Sequence, residues 1–258
     1  MSKIETKGVV MRNLLLTLRF DGSEYHGWQV QQNASTVQQT VQDCIENILQ
    51  KREQIIGCSR TDAGVHANMY CCNVKTDNHI PCENFKAALN ATLPYDIAVM
   101  DCKEVAQDFH ARYDCKSKQY IYKIYNAQVK DPFLHGYALH YKYPLEAEML
   151  DKQAKDFVGT YDFAGFCSSN CSVKTTIRTV KRASVNRIGD MVIFTVEADG
   201  FLYNMVRIMV GTLLDISQGK IEQGIIKDII ESKNRNRAGV TAPPCGLYLN
   251  RVDYGSEK

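Results

Sequence analysis

The chain has 258 residues, of which 45% are hydrophobic and 23% charged, and its formal net charge is +2. These values suit a globular protein of one large or two modest domains and exclude wholesale disorder. The near-balanced charge does not announce a polyanion partner, and no run approaches the roughly 18 apolar residues that span a bilayer.

In chain order, Met11–Phe20 alternates as a strand does, and Asp21-Gly22 ends it with turn chemistry. Val37, Val41, Cys44, Ile45, Ile48 and Leu49 form a stripe at helical spacing, with Thr36 and Gln39 placed as a capping box. That stripe belongs to the core, since burying each large apolar side chain is worth ~1.5–3 kcal/mol without any ligand. Gln54–Cys58 and Met69–Val74 read as strands, Asn84–Leu93 as a helix stopped by Pro94, and Ile97–Val105 as a strand. The second half opens near Phe109. Gln119–Asn126, rich in tyrosine and β-branched residues, predicts a strand. Leu150, Ala154, Phe157 and Val158 predict a helix capped by Gly159. Thr176–Val185 and Met191–Ala198 predict a hairpin joined by residues 186–190. Val206, Met209, Val210, Leu213 and Leu214 mark a further helix, Ile221–Ser232 another, and Cys245–Tyr254 a last strand. The two halves, residues 1–107 and 108–258, repeat similar element types. The pattern predicts an α+β protein of two related sheet-and-helix halves.

The ten cysteines do not read as a disulfide framework. Met1–Lys7 carries no apolar signal segment, so a cytoplasmic, reducing location is expected. There is no C-x-x-C pair, and Cys167 and Cys171 have no nearby histidine. No metal is therefore expected, and most of these thiols read as small buried apolar residues. Basic residues gather in three stretches: Arg112, Lys116, Lys118 and Lys123; Lys174, Arg178, Lys181, Arg182 and Arg187; and Lys233, Arg235 and Arg237. Such patches either neutralise phosphates or form ordinary solvated faces.

Chemistry concentrates in Arg60-Thr61-Asp62-Ala63-Gly64-Val65-His66-Ala67. Taken by itself, an Asp before Ala-Gly is a turn or cap residue. An aspartic-protease reading fails, because Ala63 lacks the motif's hydroxyl and no second Asp-[Thr/Ser]-Gly supplies a dyad. The whole segment resembles the signature of the TruA family of tRNA pseudouridine synthases. The resemblance extends to Phe20–Gln29, to Phe109–Tyr113 leading into Lys118–Asn126, to Asp199–Arg207 with Val210–Leu213, and to Ala242–Leu249. Two stretches depart from the family pattern: Asn68–Cys72, and Tyr161 where many members carry His.

The resemblance implies two ferredoxin- or RRM-like halves, a continuous, mostly antiparallel sheet and a central cleft. It implies a homodimer that acts on the tRNA anticodon stem-loop at positions 38, 39 and 40. Asp62 takes the place of the essential aspartate, as nucleophile on sugar or base, or as stabiliser of positive charge at C1′. Tyr120 matches the active-site tyrosine, suited to stacking on an extracted uracil or to helping remove the C5 proton. Arg207 and Arg60 are expected near Asp62, favouring its charged form, and Leu247 is expected to line the uracil pocket. His66 is expected to be structural or an RNA contact. Uridine-to-pseudouridine isomerisation is redox-neutral and needs no group donor, so no cofactor is expected. A base inside a stem is unreachable, so it must be flipped out. The competing reading is a non-catalytic RNA-binding relative, which has no need of Asp62, Tyr120 and Arg207 together.

Overall fold

The structure, a computed structural model, describes residues 11–168 and 173–255. In chain order its elements are β1 (Arg12–Phe20), α1 (Val37–Leu49), β2 (Ile55–Gly57), β3 (His66–Thr76), α2 (Cys82–Thr92), β4 (Ile97–Val105) and β5 (Ser117–Tyr125). There follow β6 (Leu139–His140), α3 (Ala147–Ala154), β7 (Gly159–Asp162), β8 (Ile177–Ile188), β9 (Met191–Ala198), α4 (Met205–Ser217), α5 (Ile226–Ser232) and β10 (Leu247–Asp253). The class is α+β, with a single mixed sheet in the order β4-β1-β3-β10-β5-β9-β8-β7; β2 pairs with β3, and β6 with β5. Neighbouring strands are antiparallel except β10 with β3 and β6 with β5. The last strand, β10, therefore lies mid-sheet, between β3 and β5.

Local chemistry explains most elements. Thr36 caps α1, its hydroxyl accepting from Gln39 N at 3.4 Å, and Val37, Val41, Cys44 and Ile45 are buried. In β9 every second residue (Val192, Phe194, Val196, Ala198) is buried, as expected of a strand covered on one face. Phe194 meets Phe157, just beyond α3, with ring centroids 6.4 Å apart. The helix α4 is hydrophobic nearly all round, which marks a helix enclosed by the core. Between Met205 and Ile216, only Arg207 is not buried.

Three expectations need correction. The helix expected to reach Val158 stops at Ala154 and tightens into a 3₁₀ turn over Lys155–Phe157. Val158 is exposed, and Gly159 opens β7, pairing with Val180, rather than capping the helix. The helix expected from Ile221 begins only at Ile226. The N–H groups of Lys220 and Ile221 turn back to Asp215 O, and that of Gly224 is taken by the Gln153 side chain. Finally, β8 runs on to Ile188, so the hairpin loop is shorter than expected. Cys44, Cys58, Cys71, Cys72, Cys102 and Cys167 are buried and Cys82, Cys115 and Cys245 half-buried; none is in a disulfide. Cys171 lies outside the described residues.

Candidate active site

The Arg60–Val65 segment is the loop between β2 and β3. Val65 N donates to Asp62 O at 3.2 Å, closing a turn in which Gly64 has φ +75°. Glycine reaches that left-handed conformation without a Cβ clash. The loop is seated on the stretch after β1: Trp28 N donates to Thr61 O at 3.2 Å, and Gly64 N to Tyr25 O at 3.1 Å. Gly22 approaches so closely that a Cβ there would stand 2.0 Å from Val65 O. Trp28 itself is core, stacked on Tyr70 with centroids 4.0 Å apart.

His66, at the start of β3, is structural. Its ring is 1% exposed and stacks on Tyr248 at 4.6 Å. Nδ1 accepts from Gly22 N at 3.1 Å, and Nε2 donates to Gly136 O at 2.9 Å. Burial holds its pKa below the ordinary value, although the nearby Asp21 carboxylate pulls it up.

Asp62 is half-buried, its Oδ2 3.7 Å from Arg207 Nη1. Arg207 stands in the first turn of α4 and is aimed from both sides. Its Nε donates to Ala242 O at 2.7 Å, and its Nη1 to Asn204 Oδ1 at 2.8 Å. Asn204 is the N-cap of α4, with φ 60°. Burial pushes the Asp62 carboxyl above its ordinary pKa of 3.8, while the charge of Arg207 pulls it back. Arg207 is thus near Asp62 and favours its charged form, but desolvation is the larger influence. The neighbouring Thr61 hydroxyl is buried without a hydrogen-bond partner among the described residues.

Asp62, Arg60, Tyr120 and Leu247 line one cleft of about 1040 Å³. Tyr120 stands on β5, opposite Leu249 of β10 on one side and Val196 of β9 on the other. Its ring meets the edge of Phe201 at 5.0 Å. Burial pushes that phenol well above its ordinary pKa, so it stays protonated at neutral pH. Leu247 opens β10, opposite Tyr122. Arg60 is exposed at the cleft and makes no ion pair among the described residues. Arg207 reaches Asp62 without itself lining the cleft.

The basic stretches separate by what they hold. Lys233 pairs with Asp162, Arg235 donates to Ala238 O and Gly239 O, and Arg237 donates to Asp228 O. That group therefore fastens the protein's own loops. Arg187 is likewise taken by Asn126 and Leu145 O, Lys118 is buried, and Lys123 lies over the Tyr248 ring at 4.0 Å. Arg112 and Arg178 do line the cleft. Sequence reading did not single out Phe201, Asn204 or Tyr113. Phe201 and Asn204 sit in the Gly-Phe-Leu-Tyr-Asn run directly before α4, where an Asn at a helix start is a legible cap signal.

A family profile described as tRNA pseudouridine synthase matches residues 17–114 and 153–255. The chain is 46% identical to tRNA pseudouridine synthase A of Thermoanaerobacter sp. (strain X514) over 244 residues, which cover 95% of this chain and 100% of that one. With the same coverage it is 47% identical to tRNA pseudouridine synthase A of Acetivibrio thermocellus and 44% identical to tRNA pseudouridine synthase A 2 of Clostridium perfringens. A looser likeness, to a solved Cbf5-Nop10-Gar1 complex, covers 91% of this chain and 57% of that one at 11% identity and a TM-score of 0.35, and bears on neither fold nor function. With a profile match over most of its length and full-length relatives at these identities, the chain belongs to the tRNA pseudouridine synthase family.

Proposed function

We propose that this isomerase converts uridine to pseudouridine at positions 38, 39 and 40 of the tRNA anticodon stem-loop, with Asp62 as the catalytic carboxylate. The observation that carries the reading is the juxtaposition of a half-buried Asp62, paired with Arg207, and a cleft that it shares with Tyr120 and Leu247. The reaction breaks N1–C1′ and forms C5–C1′; the proton at C5 leaves, and one is gained at N1. A carboxylate serves it as nucleophile or by stabilising positive charge at C1′. Arg207 keeps Asp62 oriented and opposes its protonation. The target base flips into the cleft, where Tyr120 and Leu247 contact the uracil. A phenol that stays protonated suits stacking and hydrogen-bond donation better than accepting the C5 proton. Arg60, exposed at the cleft, suits an RNA phosphate.

In this reading residues 1–107 and 108–258 are two related halves flanking the cleft, and the enzyme works as a homodimer gripping tRNA across both subunits. In the same reading the enzyme works in the cytoplasm; among the described residues no helix is long and apolar enough to cross a membrane.

Asp62→Asn tests the central assignment. Purified Asp62→Asn is expected to bind tRNA with near wild-type affinity and to form no pseudouridine when treated tRNA is mapped. Conversion at the wild-type rate would remove Asp62 from the chemistry.

A further inference from the structure

A second feature of the same cleft is an aromatic ring presented at its mouth. Tyr113 lines the cleft and is 76% exposed. One face of its ring rests on His110, with centroids 4.2 Å apart and planes 30° from parallel. The turn that carries the pair is bound to itself. Tyr113 N and Asp114 N donate to His110 O, and His110 N donates to Asp114 Oδ2 at 2.7 Å. His110 Nδ1 accepts from Arg112 N and Tyr113 N at 3.2 and 3.3 Å, which fixes the imidazole that backs the tyrosine.

The turn is also fastened to the sheet. Ala111 N donates to Asn73 Oδ1 at 2.9 Å, and Tyr254 OH donates to Ala111 O at 2.8 Å. Asn73 bonds to Asn13 at 2.8 Å, and Asn13 donates to Ala106 O and Phe109 O. Both asparagines are fully buried. Two buried amides are costly unless satisfied, and here one of their bonds holds the turn directly at Ala111 and another holds Phe109 just before it. The result is a large aromatic ring, largely in solvent, beside Arg112, whose guanidinium has no partner among the described residues, and facing a cleft that Arg178 also lines.

We infer that Tyr113, backed by His110, is a stacking platform for a second, unpaired nucleobase of the RNA, outside the uracil pocket at Asp62, with Arg112 taking the adjoining phosphate. The inference rests on the proposed RNA substrate but not on the role of Asp62. An extruded uridine leaves its neighbours without a stacking partner, and a preorganised ring offers one at little ordering cost. The site is a positioning site: it holds the opened strand in register with the cleft and touches no reacting atom.

The test is a cycle of protein variants against anticodon stem-loop RNAs that carry one abasic nucleotide at each loop position in turn. Fluorescence anisotropy reads binding, and tritium release reads kcat and KM. Tyr113→Ala is expected to weaken binding of intact RNA about tenfold, raising KM with little change in kcat, as the loss of one base stack would. Tyr113→Phe should retain the wild-type values and Tyr113→Leu should not. At one loop position the abasic RNA should bind wild type and Tyr113→Ala equally. If Tyr113→Ala binds intact RNA as wild type does, or if its loss adds in full to the abasic loss at every position, no base stacks there. An unaltered melting temperature for Tyr113→Ala separates a lost contact from a lost fold. Should the wild type bind these RNAs and show the cycle but form no pseudouridine, the platform stands and the proposed reaction falls.

Discussion

Asp62 is subject to two opposed influences whose balance can be read kinetically. Burial favours the neutral acid, and Arg207, 3.7 Å away, favours the carboxylate; the net effect raises the pKa above 3.8. A reaction that needs ionised Asp62 must lose rate as pH falls through that raised value, so the acid limb of kcat/KM should lie above the ordinary carboxylate range. Removing Arg207 removes a lowering influence. In Arg207→Gln the carboxyl should hold its proton to still higher pH, moving the acid limb upward as well as reducing the plateau. A pH–rate series on both proteins checks this. A limb that stays in place, or moves to lower pH, would show that Arg207 does not govern the ionisation of Asp62.

The position of Arg207 depends in turn on how α4 meets the segment before β10. Thr212, about two turns along α4, is fully buried. Its hydroxyl donates to Ile208 O at 2.8 Å and accepts from Gly239 N at 2.9 Å. That bond ties the helix to residues 238–242, where Ala242 O receives the Arg207 Nε. Thr212→Val keeps the shape but leaves Gly239 N without its acceptor, a loss of about 1–3 kcal/mol. Thermal or urea unfolding should register it, with a smaller fall in kcat as Arg207 loosens. Unchanged stability would mean that Gly239 N finds another partner. This tie was not legible in the sequence, which marks α4 clearly by its apolar stripe but gives no partner for a threonine within it. The contrast is general here. Features decided within a few residues, such as the Thr36 cap of α1 or the alternation of β9, were readable. The early end of α3 was not, because Gly159 is drawn into the sheet against Val180 of β8, and neither was the late start of α5, because Asp215 O and the Gln153 side chain hold the N–H groups of Lys220, Ile221 and Gly224 in a turn. The same holds at the site. Asp62 read locally as a turn residue, and it does occupy a turn. Its pairing with Arg207 comes from α4, far along the chain, and only resemblance to a family brought the two together beforehand.

At the scale of the whole molecule, a formal net charge of +2 gives little long-range pull on a polyanion, so RNA affinity must come from where the charge is placed. The structure divides the basic residues by their engagement. Lys233, Arg235 and Arg237 are bound to the protein's own carboxylate and carbonyl oxygens, whereas Arg60 and Arg112 are exposed on the cleft without such partners among the described residues. Each phosphate neutralised releases condensed counterions, so the logarithm of affinity should fall linearly with that of salt concentration. Arg60→Ala and Arg112→Ala should each weaken tRNA binding and make the slope shallower by about one unit. Lys233→Ala or Arg237→Ala should leave the slope unchanged, even where loosened loops lower the melting temperature. Binding isotherms at several salt concentrations, taken well below each variant's melting temperature, separate the two groups. If the Lys233 and Arg237 variants flatten the slope while those at Arg60 and Arg112 do not, the RNA runs over the α5 side of the molecule rather than along the cleft, and the path of the stem-loop across the sheet must be redrawn.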